Sequence, residues 1–420
     1  MLSPINADER NESRAVKECQ ICRNQNLHPV LFLGYLPPVN SMPKIGSKPI
    51  QQPFFPAQLL HCNKCSLVQL GTIVDPKILF PPEYPYTSST TKILRENFAE
   101  LYAECSSLIA LNNNDLIVDI GSNDGNLLSN FKDRHKVLGI TPEEMGKIAI
   151  ERGIPTIIDF FTPSVVAQVV KKHGQATIIT ATNVFAHIDE VNSVVSSILE
   201  LLTPDGVFIS ESHYLLPLVE TVQYDTIYHE HLRYYSLHSI KYLLEHHGLE
   251  IFHAKQIPTH GGSIRVYAAR KGKRKVMPTV AQILEKERKT ILKREHLETF
   301  KDRVVKSKLE LYALLNAIKK NNQRIFAISA PSRASTLINY VGLDQDILDY
   351  VLEIKGSHKI GKYMPGTLIP VVEEALLFEV QPDYALLLSW HIADELIPKL
   401  KQKGFKGKFI IPLPSPRIAE

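Results

Sequence analysis

The chain has 420 residues, 44% of them hydrophobic and 22% charged, with 48 basic against 44 acidic side chains. That length is too great for one ordinary core and implies two to four domains at ~150 residues each. A net charge of +4 offers no broad field for a polyanion, so no nucleic-acid partner is expected. No apolar run approaches the ~20 residues that span a bilayer, and the polar opening MLSPINADERNESRAVKE is unlike a signal peptide, which leaves no expected membrane partner and a cytoplasmic location.

The first element is marked by cysteine spacing. Four of the five cysteines form two Cys-x-x-Cys pairs, Cys19 with Cys22 and Cys62 with Cys65. Two such knuckles place four thiolates around one tetrahedral Zn²⁺ at about 2.3 Å, and reducing conditions favour metal over disulfides. Four thiolates fill the shell, so this zinc is expected to be structural. It would organise a module over residues 15–85 with few large apolar side chains of its own. Cys105, on an apolar helical face, reads as core.

A turn-rich stretch then enters an amphipathic helix over residues 89–110. From residue 115 to about 270, strand-length apolar runs (DLIVDIG, KVLGIT, TIITATNVF, GVFISESHY, GLEIFHAKQI, SIRVYAAR) alternate with helical stretches. This pattern predicts an α/β domain with a mainly parallel sheet, assigned to residues 86–278. The basic run RKGKRK at 270–275 reads as a solvated turn. A charged helical tract over 279–322 leads to RIFAISA, ILDYVLE, DYALLLSW and KFIIPLP, which predict a second, smaller α/β domain within residues 279–420.

The first strand of the central domain runs into LIVDIGSNDGNLLSNF, with Asp119 at the strand end followed by Gly121, Asn123 and Gly125. Glycines there let backbone approach a ligand at the carboxyl edge of the sheet. The spacing differs from the dinucleotide fingerprint G-x-G-x-x-G. It resembles motif I of class I methyltransferases that use S-adenosylmethionine. That resemblance implies cofactor contacts from Asp119, Gly121, Asn123 and Gly125. It puts the ribose position at Thr141, with Glu143 and Glu144 close by, and the adenine position at Asp159, Phe160 and Phe161, although the two phenylalanines read equally well as core. Asn183 and His187 then fall at the end of the fourth strand.

Further along, YDTIYHEHLRYYS at 224–236 packs two histidines, one glutamate and four tyrosines into thirteen positions. The cysteine knuckles, EYPYTSS, motif I, NVFAHI, this segment, HGGSIRVY, SAPSRASTLINYVG and GKYMPGTLIPV follow one another in the order found in the sugar C-methyltransferases. The chain resembles that three-domain family from Cys19 to about Pro412. The resemblance implies an α/β fold: a small N-terminal zinc-binding module, a central Rossmann-like class I methyltransferase domain and a smaller C-terminal Rossmann-like domain. It further implies methyl transfer from S-adenosylmethionine to C-3 of a nucleotide-diphospho-4-keto-6-deoxy sugar, with thymidine diphosphate the common carrier, by a monomer or weak homo-oligomer.

Removing a proton beside a ketone needs a base with pKa near working pH and donors where charge develops, and histidine suits the first task. By the resemblance, His231 is the base, Glu230 orients it or touches the sugar, and Tyr228, Tyr86 and His187 surround the keto oxygen. HGGS, residues His260, Gly261, Gly262 and Ser263, would contact sugar or diphosphate, with Arg265 a weaker candidate. His213 and His260 read otherwise as structural histidines, His229 as exposed, and Tyr234 and Tyr235 as packing residues with surface hydroxyls. The family turn G-A-P-A-K-G is here Ser329, Ala330, Pro331, Ser332, Arg333 and Ala334, leaving Arg333 as the phosphate contact. Two other readings compete: a nucleic-acid methyltransferase, disfavoured by the weak charge, and a non-catalytic sugar-nucleotide-binding protein, disfavoured by the intact Tyr228, Glu230 and His231 set.

Overall fold

The computed structural model of the protein describes residues 12–80 and 92–420. The apolar runs between Leu116 and Arg270 form one seven-stranded sheet in the spatial order Thr156–Ile158, Lys136–Thr141, Leu116–Ile120, Ala176–Thr182, Leu202–His213, Ser263–Arg270, Leu249–Ile257. Numbered along the chain, this is the order 3-2-1-4-5-7-6 of class I methyltransferases. The first five strands in space are parallel, and Ser263–Arg270 is antiparallel to both its neighbours. All five residues of Leu116–Ile120 are buried, which is why this strand reads as a continuous apolar run rather than an alternating one.

Local chemistry sets the crossovers. Thr162 caps Pro163–His173 by accepting from Val165 N at 3.4 Å, proline stands in the first turn, and Lys171, Lys172 and His173 complement the dipole at its end. The expected helix over 89–110 is seen as Lys92–Leu108 among the described residues. Arg265 fastens it: the fully buried guanidinium donates to Glu211 at 2.6 Å, Glu104 at 2.7 Å and the Asn97 side chain at 2.8 Å. Arg265 therefore holds the methyltransferase sheet to this helix and is not presented to a sugar. The RKGKRK stretch is a largely exposed turn.

The N-terminal module is an antiparallel sheet in the order Arg233–Tyr234, Val68–Leu70, Phe55–Cys62, Leu27–Leu36, so its edge strand is donated by the central domain. Contrary to the expectation of a module poor in apolar residues, Leu31, Leu33, Leu36, Leu59, Leu67 and Leu70 are buried in it. Alternation in LHPVLFLGYL hides these positions among exposed Phe32 and Tyr35.

The charged tract resolves into two helices, Pro278–Thr290 and Arg294–Lys320. The C-terminal sheet follows in the order Val371–Glu373, Tyr350–Glu353, Ile325–Ile328, Tyr384–Leu387, Lys408–Ile411, all parallel, with Arg417–Ala419 antiparallel at the edge. The two outermost strands have three residues each, too short to carry a periodic signal.

One buried ion pair joins the central and C-terminal domains. Arg333, at the start of helix Ser332–Val341, grips Asp225 through Nε at 2.7 Å and Nη2 at 2.8 Å, and Trp390 Nε1 donates to the same carboxylate at 2.8 Å. Asp225 and Arg333 are 0% and 6% exposed. Removing one partner strands the other charge in a dry site, at a cost of about 3–5 kcal/mol. Asp225→Ala is expected to lower the urea midpoint clearly, followed through the emission of Trp390, the chain's single tryptophan. A midpoint equal to that of the parent protein would show that the pair does not hold the domains together.

Candidate active site

The four knuckle cysteines come together as their spacing predicts. Their sulfurs all lie within 4.8 Å of one another, with Cys19 Sγ to Cys65 Sγ at 3.4 Å and Cys22 Sγ to Cys62 Sγ at 3.5 Å. Sulfurs at about 2.3 Å from one Zn²⁺ stand about 3.8 Å apart along tetrahedral edges, so the set fits a closed zinc site. No residue is left over for an open position, and such a metal would supply fold, not chemistry. Among the described residues no other cluster has metal-binding spacing.

At the carboxyl edge of the central sheet, Gly121 has φ +72 and a Cβ there would stand 2.5 Å from Val184 Cγ2, so only glycine fits. Asn123, also left-handed at φ 50, donates from Nδ2 to Glu143 at 2.7 Å. Thr141 is buried, its methyl directed at Gly146, while Glu144 is exposed and paired with Lys147. Of the acids near the ribose position, Glu143 is therefore the one turned toward motif I. Asp119 is fully enclosed and accepts from Thr180 at 2.6 Å; burial pushes its carboxyl up to about 7. Asp159 accepts from Phe160 N at 2.7 Å in its own turn, Phe160 is 65% exposed, and Phe161 packs on the core. The side-chain oxygen of Asn183 is buried without a hydrogen-bond partner. An acceptor carboxylate beside motif I and an orphaned acceptor at the fourth strand suit the ribose hydroxyls and the ammonium of S-adenosylmethionine.

The segment 224–236 is fully buried, and a turn closed by His231 N donating to Tyr228 O at 3.0 Å holds His229 and Glu230, so its histidines do not simply alternate. His231 Nδ1 lies 2.9 Å from Thr226 O, and His187 Nδ1 lies 2.7 Å from Glu230 O. A carbonyl oxygen only accepts, so in each ring Nδ1 carries the proton and Nε2 keeps its lone pair. The Tyr228 ring sits 4.2 Å from that of His231; His187 and His213 are at 5.1 and 5.2 Å, and His260 is 5.8 Å from His213. His213 and His260 thus join the cluster. His229 is not exposed: it is buried against Pro56 O at 3.3 Å and edge-on to Phe55. Tyr234 and Tyr235 are buried to their hydroxyls, which face Thr226 O and Phe185 O.

Enclosure fixes the charge states. Burial, then the neighbouring His187, His260 and Arg333 against the opposing Thr226 carbonyl, pushes His231 down to about 3. Burial lowers His187, His213 and His260 as well, the last to about 4. Burial, then the charge of Glu230, raises Tyr228 well above the ordinary phenol, so it remains a donor. His187, with its N–H engaged by Glu230 O, holds the segment and has no proton to offer a keto oxygen. Tyr86 lies outside the described residues.

HGGS is a strained turn: His260, Gly261 and Gly262 have φ 57, 86 and 120, and a Cβ on Gly262 would meet Pro217 at 2.6 Å. His260 Nε2 is buried without a partner, while Ser263 Oγ donates to Thr259 O at 3.0 Å. Arg333 is not free for phosphate, being held by Asp225, Gln223 and His391. Sequence reasoning missed Asp225, Trp390, Asn40 and Lys359. Asn40 donates to Glu230 Oε1 at 2.7 Å, and Lys359 donates to Ala330 O at 2.6 Å while Glu353 and Glu230 oppose the burial that lowers its pKa. Asp225 stands inside the segment already singled out; the others sit in stretches with no chemical signature.

The sheet order and the glycine turn of motif I at its carboxyl edge are those of an S-adenosylmethionine-dependent methyltransferase. Residues 19–80 match the zinc binding domain family, 91–254 a methyltransferase domain family and 258–414 the C-methyltransferase C-terminal domain family. The C-methyltransferase NovU of Streptomyces niveus is 31% identical over 412 residues, covering 96% of this chain and 97% of NovU. The chain belongs to this C-methyltransferase family. Among solved structures, the magnesium protoporphyrin IX methyltransferase of Synechocystis with bound S-adenosylhomocysteine is similar over 44% of this chain and 90% of its own, at 14% identity and TM-score 0.34. A methyltransferase from Clostridium acetobutylicum is similar over 44% and 94%, at 14% and 0.33. No helix among the described residues is long and apolar enough to cross a membrane.

Two expectations follow. A chelator that strips the zinc should lower the thermal midpoint, while the protein still folded binds S-adenosylhomocysteine within about twofold of the parent. Unchanged stability after complete zinc loss, measured by metal analysis, would rule out a structural metal. Second, histidines held neutral near pKa 3–4 (His229, His231, His260, His391) take up protons on unfolding once pH drops below their unfolded value of about 6.5. Asp119, raised to about 7, and the carboxyls of Glu143 and Glu211, also raised by burial, act in the opposite sense, but the lowered imidazoles, His61, His187 and His213 among them, outnumber these three. Stability should therefore fall as pH goes from about 6.5 to 5; a flat or rising urea midpoint over that range would contradict neutral burial.

Proposed function

We propose that the protein methylates C-3 of a nucleotide-diphospho-4-keto-6-deoxy sugar through an enolate, in branched deoxysugar synthesis. The observation that carries this reading is the fixed tautomer of His231: Thr226 O holds Nδ1–H at 2.9 Å and leaves the Nε2 lone pair as an acceptor. A base kept neutral needs no deprotonation before it acts. Its low pKa in the ligand-free site works against proton uptake, but a substrate bearing a diphosphate brings negative charge that favours the imidazolium and moves the pKa up.

His231 Nε2 then accepts the proton on the carbon beside the ketone. Tyr228, whose ring lies 4.2 Å away and whose phenol stays protonated, donates to the keto oxygen as charge gathers there. Glu230 orients the sugar, and the HGGS turn with the Asn183 carboxamide borders the space between sugar and methyl donor. S-adenosylmethionine, when bound, supplies an electrophilic methyl on a sulfonium. Glu143, held by Asn123, accepts the ribose hydroxyls in place of Thr141, and Phe160 covers the adenine. Lys359 at the Ala330 turn takes the role of diphosphate cation that Arg333 cannot fill.

Calorimetric titration with S-adenosylhomocysteine should give micromolar binding, weakened about tenfold or more in Glu143→Gln. His231→Ala should lose roughly 10²–10⁴ in turnover of a thymidine-diphospho-4-keto-6-deoxy sugar while keeping that affinity. Full turnover in His231→Ala would remove the base role. S-adenosylhomocysteine binding without methylation of any 4-keto sugar nucleotide would sink the substrate class.

A further inference from the structure

Glu230 is reached from outside its own domain. Leu27–Leu36 and Phe55–Cys62 pair antiparallel so that Leu27 faces Cys62 at one end and Leu36 faces Phe55 at the other. The cysteine cluster closes the first end. The second end runs into Leu36, Pro37, Pro38 and Val39, all buried, with Ser41 N turning back to Pro38 O at 3.1 Å. Two prolines fix φ and leave no N–H to satisfy, so a loop can lie buried there at little polar cost. It delivers Asn40 Nδ2 to Glu230 Oε1 at 2.7 Å, across 190 positions of sequence. From the same end of the hairpin, Pro56 O meets His229 Nε2 and Phe55 packs on the His229 ring. The backbone around Glu230 is held as well: its own carbonyl accepts from His187, and the next residue, His231, is tied to Thr226 O.

We propose that Asn40 is a positioning residue for methyl transfer, supplied by the zinc module to fix the Glu230 carboxylate against the sugar. The inference rests on the reading of Glu230 as a substrate contact. A carboxylate side chain has rotatable bonds that burial alone does not lock, and a charge-assisted hydrogen bond from a rigid loop narrows its orientations. Lys359 approaches from the C-terminal domain through the turn at Ala330. Glu230 is thus framed by the module on one side and the C-terminal domain on the other. The zinc module on this view completes the active site as well as the fold.

The test compares Asn40→Ala, Asn40→Asp and Glu230→Gln in the full-length, zinc-loaded protein, with a thymidine-diphospho-4-keto-6-deoxy sugar as substrate. Asn40→Ala should lower kcat about 10- to 100-fold, the range expected when a reacting group is misplaced by about 1 Å. Its zinc content and S-adenosylhomocysteine affinity should match those of the parent. Asn40→Asp sets a second carboxylate against the first; two such groups cannot both ionise at that distance, so one holds a proton to higher pH. Its kcat/KM should change with pH between about 5 and 8 where that of Asn40→Ala does not. If Glu230→Gln loses activity while Asn40→Ala keeps full kcat, the positioning role is overturned and the reading of Glu230 stands. If Glu230→Gln is fully active, that reading falls and this inference with it. If Asn40→Ala loses zinc, cofactor affinity and activity together, Asn40 serves the fold of the module and the proposal is overturned.

Discussion

The structure depends on burying one short polar segment without leaving it unbonded. Between Asp225 and Ser236 the chain carries an aspartate, a glutamate, two histidines, an arginine and three tyrosines, every one of them buried. Burying such groups is tolerable only where each finds a partner. The partners come from three directions. Arg333 and Trp390 of the C-terminal domain take Asp225; Asn40 and Pro56 of the zinc module take Glu230 and His229; carbonyls of residues 185, 188 and 189 in the central domain take Arg233. No single domain could bury this segment, which gives the three-domain arrangement a physical reason.

The same enclosure sets the chemistry. Four imidazoles and an arginine in one low-dielectric volume cannot all be cationic, so the rings are neutral, and backbone carbonyls place the protons of His187 and His231 on Nδ1. Neutral imidazole is the form a base needs. The cost is a weak affinity for the proton, which under the proposed mechanism the negative charge of a diphosphate substrate offsets. Tyr228 is shifted in the complementary direction by the same burial and keeps its proton. One physical cause thus separates an acceptor from a donor whose rings are 4.2 Å apart.

What was legible in the sequence follows from how local each signal is. Cysteine pairs two residues apart, apolar runs bounded by Gly and Asp, and the crowded YHEH segment all carry their meaning within a few positions. The mainly parallel sheet and the four-sulfur cluster follow from them. Contacts between distant segments left no mark. Asn40 lies in a proline-bounded loop with nothing to signal a site, Lys359 sits in an ordinary polar loop, and the turn at Tyr228–His231, which lays His229 against Pro56 and Phe55, defeats the alternation expected of a strand. That an acid close to Thr141 faces motif I was half visible. Two acids followed the strand, and only the side-chain geometry separates Glu143, bonded to Asn123, from Glu144, turned outward to Lys147.

Arg333 shows why a substituted motif need not mean a lost site. The C-terminal sheet has the parallel order 3-2-1-4-5, and open sheets of this kind hold ligands where the order reverses, here between Ile325–Ile328 and Tyr384–Leu387. The segments leaving those two strands bring Arg333, Trp390 and His391 to that crevice, and the group they hold is the Asp225 carboxylate of the central domain. A bidentate carboxylate makes the same demands on a guanidinium as a phosphate does. With that position filled from within the chain, no external ligand has to approach the backbone beside Arg333, and the glycine replaced by Ala334 is dispensable there. Ser329 still takes φ 70, the left-handed conformation that a glycine favours, so the path of the turn survives the change of residue. The crevice has become a joint: what binds a ligand in a free-standing domain here binds the domain that carries His231, and so sets where the two halves of the site meet.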